Sequence, residues 1–359
     1  MRRAALADLL LAAGAALGAL LALLGVLACA GWPPGEVAAT WLHGAVGNGQ
    51  RLALTLEGAC PLLLTGLAAA CAFRCGVWNI GAEGQFLAGA AMLVACGTRW
   101  ALPGPAWLAL PVALLLAAAA GAAWALAASA LERWRGVPVV LSTILLNLIA
   151  VQLVGALVEG PLHDPQTSAP QTALVDTRFT LPVLADGTQL HLGVVLALVL
   201  AIALWLVERR TAFGFELLVT GLNPRAARLA GMPVATRRWQ VMGLSGALAG
   251  LAGGVQVAGV TGFLSGTPAS YGYAGIAVAL LGGLHPLGVA AAALFFAMLD
   301  GGSRALERGL DVPHDLGDLA SGAIVLAVVV GTVAVQRRRL ARPALDAAPT
   351  QQTKAAGDG

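Results

Sequence analysis

Ten apolar runs divide this chain, and their lengths leave it few folds to choose from. A hydrocarbon layer is crossed by about 20 apolar residues in a helix, fewer where the helix is broken. The candidate spans are 4–30, 52–73, 81–97, 107–130, 139–158, 192–207, 239–258, 274–284, 287–299 and 319–335. The eighth and ninth are too short to cross straight. Hydrophobic residues make up 58% of the 359 and charged ones 11%, with a mean hydropathy of +0.82. No soluble fold of this length needs so little charged surface. The expected fold class is therefore all-α, a polytopic membrane protein of about ten transmembrane helices, some short and broken. Met1-Arg2-Arg3 before an apolar run resembles a signal peptide, but the run is too long and lacks a clear Ala-x-Ala site, so it reads as a retained first helix.

Arginine placement orients the chain. Arg2 and Arg3, Arg133 and Arg135, the residues from Arg209 to Arg238, and those from Arg337 to Arg342 share one side of a ten-span arrangement. By the positive-inside rule that side is the cytoplasm, which puts both termini there. The opposite loops are 31–50, 98–106, 159–191, 259–273 and 300–318, with Arg51, Arg99, Arg178, Arg304 and Arg308 as exceptions. Trp32, Trp41, Trp100 and Trp107 fall at outer boundaries and Trp134 at an inner one, as an aromatic belt requires. Residues 1–340 form the expected membrane domain. The polar, aperiodic segment 341–359 is expected to be a disordered cytoplasmic tail.

Between the second and third runs lies Cys75-Gly-Val-Trp-Asn-Ile-Gly-Ala-Glu-Gly-Gln-Phe-Leu-Ala-Gly89. An acidic side chain at membrane depth costs several kcal/mol, about 2.5–3.5 on insertion scales, and marks a functional site. Glycine-broken backbone at that depth survives where it is buried in protein or lines a wet cavity. Trp78 is thus a candidate stacking contact on a solute path, with Asn79, Glu83 and Gln85 as hydrogen-bonding groups. Ser142, Thr143 and Asn147 are further candidates. Two structural roles compete: Asn79 and Glu83 tying freed backbone N–H groups of a broken helix, and Ser142, Thr143 and Asn147 serving as interhelical glue. A second glycine-punctuated run, Tyr271-Gly-Tyr-Ala-Gly275 and onward, occupies the matching place in the other half, which points to an inverted repeat with the solute path at its interface.

The long basic segment 208–238 contains Gly221-Leu-Asn-Pro-Arg-Ala-Ala-Arg-Leu-Ala-Gly231. Asn223 is an N-cap, Pro224 the first helical residue and Gly231 the stop, which predicts a helix of about two turns. Arg225 and Arg228 give it charge, and Ala226, Ala227 and Ala230 a small face, suiting a knob docked in a groove on another protein; an ordinary basic loop is the alternative. Cys29, Cys60, Cys71, Cys75 and Cys96 lie in or beside apolar runs without metal-ligand partners, so neither disulfide nor metal is expected. None of the five histidines pairs with a Ser or Cys as a nucleophile's base would. The acidic residues from Asp300 to Asp318 suit a solvated outer loop. No Gly-x-x-x-x-Gly-Lys-Ser/Thr occurs, and Lys354 is the only lysine, so this chain has no phosphate-cradling loop.

Five motifs in order resemble a known family: Gly76-Val-Trp-Asn-Ile-Gly-Ala-Glu-Gly-Gln85, Ser142-Thr-Ile-Leu-Leu-Asn147, Gly160-Pro-Leu-His-Asp-Pro165, Gly214-Phe-Glu216 with the basic helix, and Gly275-Ile-Ala-Val-Ala-Leu-Leu-Gly-Gly-Leu-His-Pro-Leu-Gly288. They are similar to permease subunits of bacterial ABC importers for nucleosides and simple sugars, the branch served by basic-membrane-protein type binding lipoproteins within the ribose-permease-like superfamily. The resemblance covers residues 52–335. It implies a cytoplasmic ABC ATPase partner that uses the ATP, a second permease subunit, self or paralogue, an extracytoplasmic substrate-binding lipoprotein, residence in the inner-membrane lipid, no cofactor bound by this chain and no nucleic-acid partner. It also makes residues 223–231 a coupling helix. Two departures stand out. Pro138-Val-Val-Leu-Ser142 lacks the carboxylate such permeases carry there, and Trp78 replaces their usual Phe.

The function expected is an import permease without catalytic residues, moving a nucleoside or simple sugar inward by alternating access. The rival is a proton- or ion-coupled secondary transporter in which Glu83 titrates. A membrane enzyme is disfavoured, since no nucleophile, metal cluster or carboxylate pair falls inside the spans.

Overall fold

A computed structural model of the chain describes residues 31–100, 105–266 and 270–313, with positions 28, 316, 322 and 323. The first and last expected spans and the C-terminal tail therefore lie outside the described residues. The structure is all-helical, with isolated β-bridges among the described residues. In chain order the helices are α1 Pro34–Val46, α2 Gly49–Arg74, α3 Ala82–Thr98, α4 Ala106–Arg135, α5 Val139–Glu159, α6 Leu192–Arg210, α7 Ala212–Leu222, α8 Pro224–Leu229, α9 Val234–Gln256, α10 Tyr271–Leu281 and α11 Pro286–Leu310. A π turn, Val257–Thr261, extends α9. Among the described residues, six helices are long and apolar enough to cross a membrane: α2, α4, α5, α6, α9 with its π turn, and α11.

Two expectations change. The ninth run is no broken helix: α11 continues to Leu310, so Asp300 and Glu307 sit on its last turns and not in a loop. Asp300 holds Arg304 across one turn at 2.8 Å, an i,i+4 pair that keeps charged residues helical. The expected loop 31–50 contains α1, opened by Pro34 at a position where a missing N–H costs nothing.

Two compact units divide the chain. Residues 41–305 form one, and residues 1–40 with 306–359 the other. In the second unit the Trp32 indole N–H donates to the Leu310 carbonyl at 3.0 Å. In the first, α9 runs through the middle with α4 on one side and α3 on the other. Glycine makes this possible. A Cβ at Gly250 would stand 2.5 Å from the Ala117 carbonyl oxygen, and one at Gly253 would stand 2.9 Å from the Ala90 nitrogen. Gly246 and Gly250 thus form a contact face where the α9 and α4 backbones touch, while Gly254, one turn on, takes the Ala117 methyl.

The segment between α5 and α6 packs on the π turn and the residue after it. Val175 N donates to Gly262 O at 2.8 Å and Leu181 N to Ala258 O at 2.8 Å, while Phe179 is fully buried. His191 caps α6, its Nδ1 accepting from Gly193 N at 3.1 Å. Its Nε2 is buried without a partner beside the π turn, and a Cβ on Gly259 would meet that atom at 2.5 Å.

Two outcomes are expected. Gly250→Val forces a side chain against backbone, which cannot rotate away, and destabilises the purified protein by at least the ~1–3 kcal/mol of ordinary overpacking; a thermal-unfolding midpoint equal to wild type would overturn the contact. Burial holds the His191 imidazole below its usual 6.5, so the fold favours the neutral ring. That contribution is complete above about pH 6.5 and is lost as the pH falls from there toward the depressed folded value. The thermal midpoint of wild type should decline over that acid range, and His191→Asn, which can still cap but cannot titrate, should flatten the decline.

Candidate functional site

The turn after α2 is built by local chemistry. Gly76 adopts φ +72, a conformation open to glycine. Its N–H donates to Phe73 O at 3.0 Å and that of Val77 to Ala72 O at 3.0 Å, the paired bonds that end a helix sharply. Trp78 then stacks on Phe73, with ring centroids 4.7 Å apart, and stays 54% exposed. The chain turns back and enters α3 at Ala82.

The other candidates from this stretch point inward. Asn79, Glu83 and Gln85 are all buried, and their polar atoms meet protein. Asn79 and Gln85 exchange amide hydrogen bonds, Nδ2 to Oε1 and Nε2 to Oδ1, both 3.0 Å. Asn79 Oδ1 also accepts from Gly81 N at 2.9 Å, and its Nδ2 lies 2.8 Å from the Ser245 hydroxyl on α9, which donates to Ala68 O of α2 at 2.6 Å. One asparagine thereby ties α2, the broken turn, α3 and α9.

Glu83 reaches a different element. Its Oε1 accepts from Ser270 N at 3.1 Å and its Oε2 from Gly272 N at 2.8 Å, so the carboxylate caps α10. A negative group at a helix start satisfies orphan N–H groups and the positive end of the dipole. Gly272 lets the two helix starts touch: a Cβ there would meet the Ala82 carbonyl carbon at 2.5 Å. Thr65 of α2 lies within 3.0 Å of Tyr271 O. Thr65 is nine residues before Arg74, about 14 Å along the helix, so α10 begins against the middle of α2 and α3 starts beside it.

Asn147 completes the knot from α5. Its Oδ1 accepts from Gly84 N at 2.8 Å and its Nδ2 donates to Ile80 O at 2.8 Å, with Tyr273 Oη at 3.3 Å. Thr143 packs on Gly81, where a Cβ would stand 2.9 Å from its own Cβ. Ser142 and Thr143 are buried and bond carbonyls of their own helix, Pro138 O at 3.3 Å and Val140 O at 3.0 Å. The structure thus gathers Asn79, Glu83, Gln85, Thr143 and Asn147 in one buried layer and leaves Trp78 at its exposed edge. Ser245, Tyr273 and Gly272 belong to this layer and were not singled out by sequence. Only the glycine-punctuated run from Tyr271 onward hinted at two of them.

The basic helix forms as its cap signals predict. α8 spans Pro224–Leu229, and Asn223 Oδ1 accepts from Arg225 N at 3.1 Å and Ala226 N at 3.0 Å. Gly231, at φ +78, ends it. Ala227 is buried, whereas Pro224, Arg225, Ala226 and Arg228 are exposed and Leu229 is 91% exposed. α7, absent from the sequence expectation, carries this helix back to the broken turn: Gly76 would place a Cβ 3.3 Å from Gly221 Cα. Ion pairs brace the same end, Arg74 Nη1 to Glu208 Oε2 at 2.5 Å and Arg237 Nε to Glu216 Oε2 at 2.6 Å.

Residues 51–329 match the family described as branched-chain amino acid transport system / permease component. Among curated proteins, the guanosine ABC transporter permease protein NupP of Bacillus subtilis is 35% identical, over 81% of this chain and 84% of its own length. A glucose ABC transporter permease protein of Haloferax volcanii is 34% identical, over 76% of this chain and 74% of its own. The guanosine ABC transporter permease protein NupQ of Bacillus subtilis is 30% identical, over 67% and 78%.

Asn79→Ala should strand the Gln85 amide and the Gly81 N–H and lower stability by about 1–3 kcal/mol. Glu83→Gln turns a donor toward a backbone N–H and should cost a similar amount despite its near-identical shape. Thermal unfolding of the purified variants checks both, and wild-type midpoints would refute the bonding pattern.

Proposed function

The chain belongs to the permease family of ABC transporters, and from that membership we propose that it is the translocating subunit of an importer for a nucleoside or simple sugar. The observation that carries the mechanism is α8. This six-residue helix, too short to be stable alone, presents Pro224, Arg225, Ala226, Arg228 and a 91% exposed Leu229 together, which suits a partner's groove. A separate ABC ATPase supplies that groove, seating Asn223, Pro224, Arg225, Ala226, Ala227, Arg228 and Gly231. ATP-driven closure of the ATPase then pushes α8, and the α7 contact at Gly221 hands the movement to the turn at Gly76.

Solute passes by alternating access along a path framed by Trp78, Asn79, Glu83, Gln85, Ser142, Thr143 and Asn147. In the conformation described the buried members of this set brace the wall, and Trp78 offers the open aromatic face. A nucleoside or sugar is uncharged and rich in donors and acceptors, which amides and hydroxyls match without a charge clamp. By the arginine distribution the spans number about ten with both termini cytoplasmic, and two observations support an inverted repeat between the halves. α3 and α10 both have glycine-rich sequence at their starts, and they begin side by side against the middle of α2. A binding lipoprotein delivers solute to the outer side, and a second permease completes the path, as the pair of guanosine permeases in one Bacillus subtilis strain suggests by likeness. Both Glu83 oxygens accept from backbone N–H groups, a capping arrangement that favours the ATP-driven reading over proton coupling through Glu83.

Leu229→Asp and the double change Arg225→Glu, Arg228→Glu should each abolish co-purification of the ATPase while the permease stays folded. Trp78→Ala should leave that assembly intact and lower guanosine or glucose uptake in proteoliposomes. Uptake that persists without ATP and stops when a proton gradient is collapsed would overturn the proposal.

A further inference from the structure

At the arginine-bearing end, α4 and α9 enclose a cavity of about 280 Å³ whose wall includes Val77, Ser129, Glu132, Arg133, Arg238 and Trp239. Its charges do not cancel. Arg238 is held by Glu132, Nη2 to Oε1 at 3.1 Å. Arg133 makes neither an ion pair nor a hydrogen bond among the described residues, which leaves one net positive charge at the mouth. The depth of the cavity is marked by its neighbour. Trp134 is 74% exposed at the last turn of α4, the position an indole takes at the headgroup layer of a membrane. Leu131, 41% exposed, continues an apolar surface up the same helix.

A phosphodiester carrying acyl chains needs these parts together: an unpaired cation, a nearby hydroxyl, an indole at the interface and an apolar flank. We propose that this cavity holds the phosphate-bearing headgroup of an anionic membrane lipid, with Arg133 as its main contact and Ser129 as a donor. A basic pocket between helices at this depth suits such headgroups. Naming the leaflet as cytoplasmic rests on the orientation proposed above; the headgroup chemistry does not. Val77 forms part of the wall and lies two residues before Asn79, so the lipid bears on the turn that joins α2 to α3.

Native mass spectrometry of the detergent-purified protein, with phosphatidylglycerol, phosphatidylcholine or inorganic phosphate added, tests this. Phosphatidylglycerol should be retained in preference to phosphatidylcholine. Arg133→Ala should weaken that retention about fivefold, Arg133→Lys should restore most of it, and Arg210→Ala, a basic residue at the end of α6, should leave it at the wild-type level. Equal retention of the two lipids, or an Arg133→Ala variant that binds as wild type does, overturns the site. Displacement of phosphatidylglycerol by inorganic phosphate overturns the lipid assignment in favour of a free anion. Because the readout is bound lipid and not uptake, a failure here leaves the transport proposal standing, and a failure of transport leaves this result unaltered.

Discussion

Polar side chains placed where a membrane's hydrocarbon lies have no water to turn to, so their partners must come from the protein. Glu83 finds two backbone N–H groups at the start of α10, and Asn79 finds Gln85, Gly81 and Ser245. The bonds of Glu83 and of Ser245 join elements that apolar packing alone would leave free to slide. The cost of stranding any one of these groups, about 1–3 kcal/mol, fixes where two broken helices begin. A carboxylate at a helix start is also electrostatically matched, which explains how an acidic residue is tolerated there.

Such bonds require that backbones come close, and glycine sets that distance. Gly272 lets α10 reach Glu83, Gly81 admits Thr143, and Gly250 and Gly253 of α9 bring its backbone against those of α4 and α3. In a membrane there is little hydrophobic gain from pressing helices together, so close contact and interhelical hydrogen bonds carry the association. The two devices therefore work as one: small residues bring the backbones in, and the buried amides and carboxylate hold them in register.

Much of this was legible in the amino-acid sequence where the signal is local. The runs at 52–73, 81–97, 139–158 and 192–207 became α2, α3, α5 and α6 within a few residues, because continuous apolarity is an unambiguous mark. Asn223 and Pro224 set the start of α8 through bonds to residues two and three positions on. α11 was underestimated because Asp300, Arg304, Glu307 and Arg308 interrupt the apolar pattern without interrupting the helix. Glu83 was recognised as costly, but its partner at Gly272 lies 189 residues away, and nothing local pairs the two. The same holds for Ser245, an ordinary serine in a glycine-rich run until Asn79 is placed beside it.

The meeting of Gly76 and Gly221 has a further implication. No side chain intervenes at that point, so the joint has neither a rotamer to absorb displacement nor a soft methyl to compress. In the importer proposed above, a short motion imposed on the exposed end of α8 would reach the polar layer with little loss, as in a gear train without backlash. A larger residue at Gly221 would meet the Arg74 carbonyl and part the two elements, and the importer proposed above would then spend ATP while moving little cargo.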